Sequence, residues 1–242
     1  MKVIGVLSYF SESPTWLSAC VASMAKVCDL VVAVDGRYIL YPEEMSVSPP
    51  EQAEAIVETA AGAGLPLTLH RPIEPFYGNE VEKRNLTLRL AAVHAEPMKD
   101  WLLILDADCC VIEHSDLLKY DLERSEQHCA SVLVEETMDP HDVRFPMRVA
   151  VDRSIPAAWR TSVTLLYRML PNLAYHGTHY SVAGEVDGRR VWLWGNGGAI
   201  DPFDATHAIT IRHRNTERPL RRQEQAAAYY ATRDRLQIEP HP

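Results

Sequence analysis

Trp101-Leu102-Leu103-Ile104-Leu105 is an unbroken apolar run, shut between Lys99-Asp100 and Asp106. It is too short for a helix and, having no polar alternation, offers no face to water, so it reads as a strand covered on both sides. Two more runs share its character: Lys2 to Ser8, with Val3, Ile4, Val6 and Leu7, and Leu30 to Val34, which ends at Asp35-Gly36. Leu65 to His70 is a further short candidate. Helical patterns separate these runs. Pro14 opens one, with Ser13 as its expected N-cap and Trp16, Leu17, Cys20, Val21 and Met24 on one face; Glu51 to Ala63 and Asn79 to Ala95 are the others. Strands alternating with helices over residues 1–110 predict an α/β fold, a mostly parallel sheet flanked by helices, whose ligands bind at the carboxyl ends of the strands.

Beyond residue 110, Cys129 to Val134 and Ser162 to Arg168 read as strands, Val191 to Trp194 as a strand entering the Gly195-Asn196-Gly197-Gly198 loop, and Pro219 to Leu236 as a terminal helix. Tyr38 to Pro50, with three prolines and no period, reads as an irregular loop. A chain of 242 residues supports one large domain, with the strand-helix alternation confined to 1–110 and 111–242 less regular. No apolar stretch approaches a membrane span, no secretion signal is expected, and the five cysteines read as reduced thiols of a cytoplasmic protein.

Charge narrows the function. A net charge of -9 disfavours a surface devoted to nucleic acid and makes any diphosphate ligand dependent on a local cation. The segment from Arg212 to Arg235 runs the other way, with seven arginines against three acids. Asp106 and Asp108, two apart at a strand end, would point to the same side of an extended chain and suit a hard divalent cation such as Mg²⁺ or Mn²⁺. The same spacing also describes an acidic turn that binds nothing.

Several segments, in order, resemble the family 2 type of glycosyltransferases with the GT-A fold. Ser8-Tyr9-Phe10-Ser11-Glu12 looks like that family's element after the first strand, with serines replacing its Pro and Asn; Val31 to Asp35 resembles its acid-terminated strand, Lys83-Arg84-Asn85 its Arg-Asn helix, and Leu103 to Asp108 its Asp-x-Asp strand. Tyr167 to His179 is similar to its arginine, proline, aromatic, glycine and histidine series, although Tyr180 stands where many members carry Glu, and Ile211 to Arg214 resembles the segment bearing a late metal-binding histidine. The resemblance implies a nucleotide-sugar donor, a UDP-sugar being the commonest in the family, bound near Ser8, Tyr9, Asp35, Lys83, Arg84, Asn85 and Asp106, with Mn²⁺ or Mg²⁺ held by Asp106, Asp108 and His213. Within that set Asp108 and His213 are expected to take the metal, and Asp106 the ribose or sugar hydroxyls; the resemblance also implies a Rossmann-like nucleotide-binding half over 1–110 and an acceptor-side half over 111–242.

Inverting transfer needs a base for the acceptor hydroxyl. Glu135, Glu136, Asp201, Asp204 and His179 are candidates, with Glu136 preferred because it follows a strand after the metal site. Trp192, Trp194, Tyr175 and Tyr180 are aromatic faces suited to stacking or to core packing. The acceptor is open between a saccharide, a small molecule, a protein and a hydroxymethylated DNA base, since small glycosyltransferases of bacteriophages also resemble this chain; in that case the enzyme would work in the host cytoplasm. Two other classes compete: a nucleotidyltransferase, disfavoured because Ser8 to Ser13 has no glycine, and a noncatalytic binding module.

Overall fold

The structure, a computed structural model, describes residues 1–77, 80–137, 158–177, 181–194, 201–214, 217 and 220–236. Its strands are β1 (Val3–Ser8), β2 (Leu30–Val34), β3 (Leu67–His70), β4 (Trp101–Asp106), β5 (Cys109–His114), β6 (Cys129–Thr137), β7 (Ala158–Arg168), β8 (Ala174–Tyr175), β9 (Val182–Val186), β10 (Arg189–Trp194), β11 (Phe203–Asp204) and β12 (Ile209–His213). Its helices are α1 (Pro14–Met24), α2 (Pro50–Gly62), α3 (Glu80–Ala92), α4 (Leu118–Arg124) and α5 (Leu220–Leu236).

One nine-stranded sheet runs in the order β3-β2-β1-β4-β7-β6-β12-β5, with β11 against β6. Strands β3, β2, β1 and β4 are parallel, as the alternation predicts. From β7 onward directions mix: β7 is antiparallel to both β4 and β6, β12 is parallel to β6, and β5 is antiparallel to β12. The two halves of the chain therefore share a sheet, joined where β4 meets β7. A second sheet, β10-β9-β8, has three strands.

Period two along each central strand explains why the runs are apolar throughout. Val3 and Leu7 of β1 and Leu103 and Leu105 of β4 pack with Leu17, Val21 and Met24 of α1 and Ile56 of α2. Ile4, Val6, Leu102 and Ile104 point the other way, onto Val81, Leu88 and Ala91 of α3 and onto Tyr175, Val182 and Leu193 of the small sheet. Each face removes a full row of side chains from water, at about 25 cal/mol per Å² of apolar area.

Several boundaries shift from expectation. The helix begun at Pro14 has Ser13 at its N-cap position, yet the serine side chain makes no capping bond. The third helix ends at Ala92 rather than Ala95, and β6 and β7 are longer than their apolar cores. Strand β5, which carries the Cys109-Cys110 pair, has no counterpart among the sequence-based expectations. Among the described residues no helix is long and apolar enough to cross a membrane.

Candidate functional site

The parallel strands end together. Ser8 is in register with Val34 on one side and Asp106 on the other, which brings Ser8, Tyr9, Asp35 and Asp106 to one end of the sheet. Parity decides where Asp106 looks: it shares its face with Leu102 and Ile104, toward α3. There Arg84 meets it, with Nη2 donating to Oδ1 at 2.9 Å and Oδ2 at 3.1 Å. The Asp106 side chain keeps 44% of its surface exposed, whereas Arg84 keeps 14%. Arg84 is thus a fixed support and Asp106 a presented carboxylate.

The chain does not stay extended after Asp106. Ala107-Asp108 form a turn, so the two carboxylates face different partners, which corrects the expectation of one shared side. Asp108 is buried and turns toward β12, its Oδ2 lying 3.2 Å from His213 Nε2. His213 Nδ1 is hydrogen-bonded to Glu136 Oε1. Register builds this row: His213 stands opposite Glu136 on β6 and opposite Cys109 on β5. Directly opposed residues share a face with Cβ atoms about 5 Å apart. The thiol of Cys109 donates to Asp108 Oδ1 at 3.9 Å. One ligand atom each from Asp108, Cys109 and His213 lies within 4.8 Å of the others, and Asp106 is outside that group.

Electrostatics follow from this geometry. Burial works against a charged His213, but its bonds to Asp108 and Glu136 outweigh it and push the imidazole up to about 10. The hydrogen bond from His213 in turn lowers Glu136. Burial raises Cys109 well above an ordinary thiol, and the charges of Asp108 and Asp106 add to the effect. A thiol beside a Glu-supported histidine could also be read as a nucleophile. Two nearby carboxylates move it in the wrong direction for that role, because a nucleophilic thiolate needs positive surroundings. The same negative field suits a cation.

The other expected ligand residues are engaged within the protein. Asp35 is fully buried and accepts bonds from Gly36 N at 2.7 Å, Ser48 N at 2.9 Å, Ser48 Oγ at 2.6 Å and Arg71 Nε at 3.3 Å. Its carboxylate organises the loop after β2. Gly36, at φ +115, is obligatory there, since a Cβ would lie 2.8 Å from Pro72 Cγ and 2.9 Å from Phe76 Cε2. Asn85 clamps the backbone of Tyr175, donating to its carbonyl at 3.0 Å and accepting from its N–H at 2.7 Å. Ser8 Oγ lies 3.3 Å from Thr87 Oγ1. Tyr9 is buried with its hydroxyl unpartnered among the described residues, and burial raises its phenol.

Lys83 is 1% exposed, and its ammonium donates to the Tyr9 carbonyl and, at 2.8 Å, to the Gly36 carbonyl. It ties the loop after β1 to the loop after β2. Burial lowers it to about 7, although Asp35 pulls the other way. An unfolded lysine titrates near ~10.4, so between about pH 7 and 10.4 the unfolded chain holds more protons and stability rises with pH. The penalty is full below pH 7. Lys83→Met is expected to flatten that rise, whose slope approaches ~1.4 kcal/mol per pH unit. Denaturant midpoints of both proteins from pH 7 to 10 check it, and parallel curves would disprove it.

Helix α5 roofs the neighbouring loops. Arg222 donates to Glu12 Oε1 at 2.9 Å, to the Phe10 carbonyl at 2.7 Å and to the Tyr41 hydroxyl, while Tyr229 packs with Phe10 and Tyr41. Arg222 is therefore not part of an open basic surface. Arg221 is exposed and pairs with Glu43. Of the remaining candidates, Glu135 bonds Arg160 and Arg212, Asp204 caps Thr206 in an exposed turn, and Asp201 is exposed. Tyr175 is core, with the Arg84 guanidinium 5.8 Å from its ring centre, and Trp192 meets His176 edge-on. His179, Tyr180, the 195–198 loop and the side chain of Trp194 lie outside the described residues.

No protein-family model matches the chain, and no curated protein matches it.

Proposed function

We propose that the chain is a metal-dependent glycosyltransferase of GT-A type, moving a sugar from a nucleotide-sugar donor to a hydroxyl acceptor. The observation that carries this reading is the meeting, at one end of the sheet, of a presented carboxylate on an arginine support with a buried carboxylate, an imidazole and a thiol close enough to share one ion. The parallel β3-β2-β1-β4 half, covered by helices on both faces, supports the fold.

The donor set fits a divalent cation, with Asp108 and His213 as its holders. When bound, such an ion supplies Lewis-acid stabilisation of the charge that grows on a diphosphate leaving group. Asp106, fixed by Arg84 and with 44% of its side chain exposed, would face ribose or sugar hydroxyls. Lys83, Asp35 and Asn85 shape the donor loops from within. Glu136 changes role in this reading. Its bond to Nδ1 sets the tautomer and direction of His213, as carboxylates behind metal-binding histidines do, so it is a positioning residue rather than the base. A DNA-base acceptor would draw on the basic Arg212 to Arg235 segment, in which Arg222 is engaged by Glu12 and Phe10 instead.

The test offers each common nucleotide sugar, UDP-sugars first, with Mn²⁺ or Mg²⁺ and records release of nucleoside diphosphate. At least one donor is expected to be hydrolysed only when metal is present. No hydrolysis of any donor, together with no metal-dependent heat of UDP binding by calorimetry, would leave a noncatalytic module as the better description.

A further inference from the structure

We propose that Cys109 is the third protein ligand of this centre, making it a site for a thiophilic first-row ion, Zn²⁺ or Co²⁺ ahead of Mg²⁺. The inference rests on the metal-site part of the function proposed above and goes beyond it in naming a ligand and a metal class.

Three adjacent strands supply the geometry. Glu136, His213 and Cys109 form one row across β6, β12 and β5, because His213 is in register with both of the others. Glu136 takes Nδ1 and so turns Nε2 toward Asp108. Asp108 has one oxygen on each neighbour: Oδ2 is 3.2 Å from His213 Nε2, and Oδ1 is 3.9 Å from Cys109 Sγ. Metal bonds of about 2.0–2.2 Å to nitrogen and oxygen and about 2.3 Å to sulfur imply ligand-to-ligand edges of roughly 3.3–3.7 Å in a tetrahedron. The nitrogen-to-oxygen edge is already of that size, and the sulfur lies within 4.8 Å of both other ligand atoms. Three protein ligands leave a fourth position for an oxygen from outside, the arrangement of a reactive rather than a structural centre.

Chemistry then selects the ion. Mg²⁺ prefers oxygen ligands in an octahedron and dehydrates reluctantly, whereas imidazole and thiolate favour Co²⁺ and Zn²⁺. On binding, the Cys109 S–H bond and the His213 Nε2–H bond both break, each electron pair goes to the ion, and both protons pass to buffer. The position of Cys109 directly after Asp108 lets one turn deliver both ligands.

Titration of the metal-free full chain with Co²⁺, followed by near-ultraviolet absorption and calorimetry, tests the assignment. A sulfur-to-cobalt charge-transfer band is expected. It should vanish in Cys109→Ser, with Co²⁺ bound about tenfold or more weakly, and persist in Cys110→Ser, all proteins giving the same far-ultraviolet circular dichroism. Cobalt bound without the band, or a band surviving in Cys109→Ser, would overturn the thiol ligand while leaving an Asp108-His213 metal site intact. Absence of Co²⁺ binding altogether would overturn both.

Discussion

Asp108→Asn is expected to lower metal-stimulated release of nucleoside diphosphate about 10²-fold to 10³-fold, the loss that follows removal of one group stabilising transition-state charge. Asn keeps the volume but loses the negative charge that faces both His213 and Cys109. The backbone role of residue 108 survives, because its carbonyl accepts from Arg214 N at 2.9 Å whatever the side chain. Folding should therefore persist while metal affinity falls. Single-turnover hydrolysis at saturating Mn²⁺, beside a thermal melt, measures both. Asp106→Asn is the informative contrast: it breaks the Arg84 pair outside the ligand group, so donor affinity should weaken while metal binding is kept. Full activity in Asp108→Asn would remove the metal assignment.

The second large effect is on stability. Arg222→Met is expected to cost about 3 kcal/mol, the lower end for breaking a buried pair and leaving one charge behind. Arg222 is 15% exposed and Glu12 only 7%, so solvent screens little of the loss. The Phe10 carbonyl and Tyr41 hydroxyl lose a partner as well. For a domain of this size the loss corresponds to a fall in Tm of roughly 6–12 °C. Differential scanning calorimetry reads it. The double change Glu12→Gln with Arg222→Met should recover part of the loss, since no unpaired carboxylate remains. An unchanged Tm in the single variant would mean that the Arg222-Glu12 pair contributes nothing to stability. Proteolysis distinguishes global unfolding from release of α5, which would expose Tyr229 and Tyr41 first.

The parallel half was legible because its signals are local. Val3 to Leu7, Leu30 to Val34 and Trp101 to Leu105 are each buried on two faces, and such strands show it in consecutive residues. Their ends were legible for the same reason: Asp35 and Asp106 stop apolar runs. Strand β5 was not. Nothing near Cys109-Cys110 says that the chain turns at Asp108 and pairs with a strand about a hundred residues later.

The division between sequence and structure is clearest within Asp106-Ala107-Asp108. Composition and position alone determined that two carboxylates would lie at the carboxyl end of a covered strand. Only the tertiary structure decided that they part company, Asp106 to Arg84 and Asp108 to His213. The turn at Ala107-Asp108 depends on β5 finding its place beside β12, and that register is a property of two distant strands. Asp35 makes the same point. Its acid at a strand end could be read directly, but its enclosure by Ser48 and Arg71 needed the folded loop. Hydrophobic periodicity is written in neighbouring residues, whereas a ligand set is assembled by pairing across strands, and pairing has no local signature.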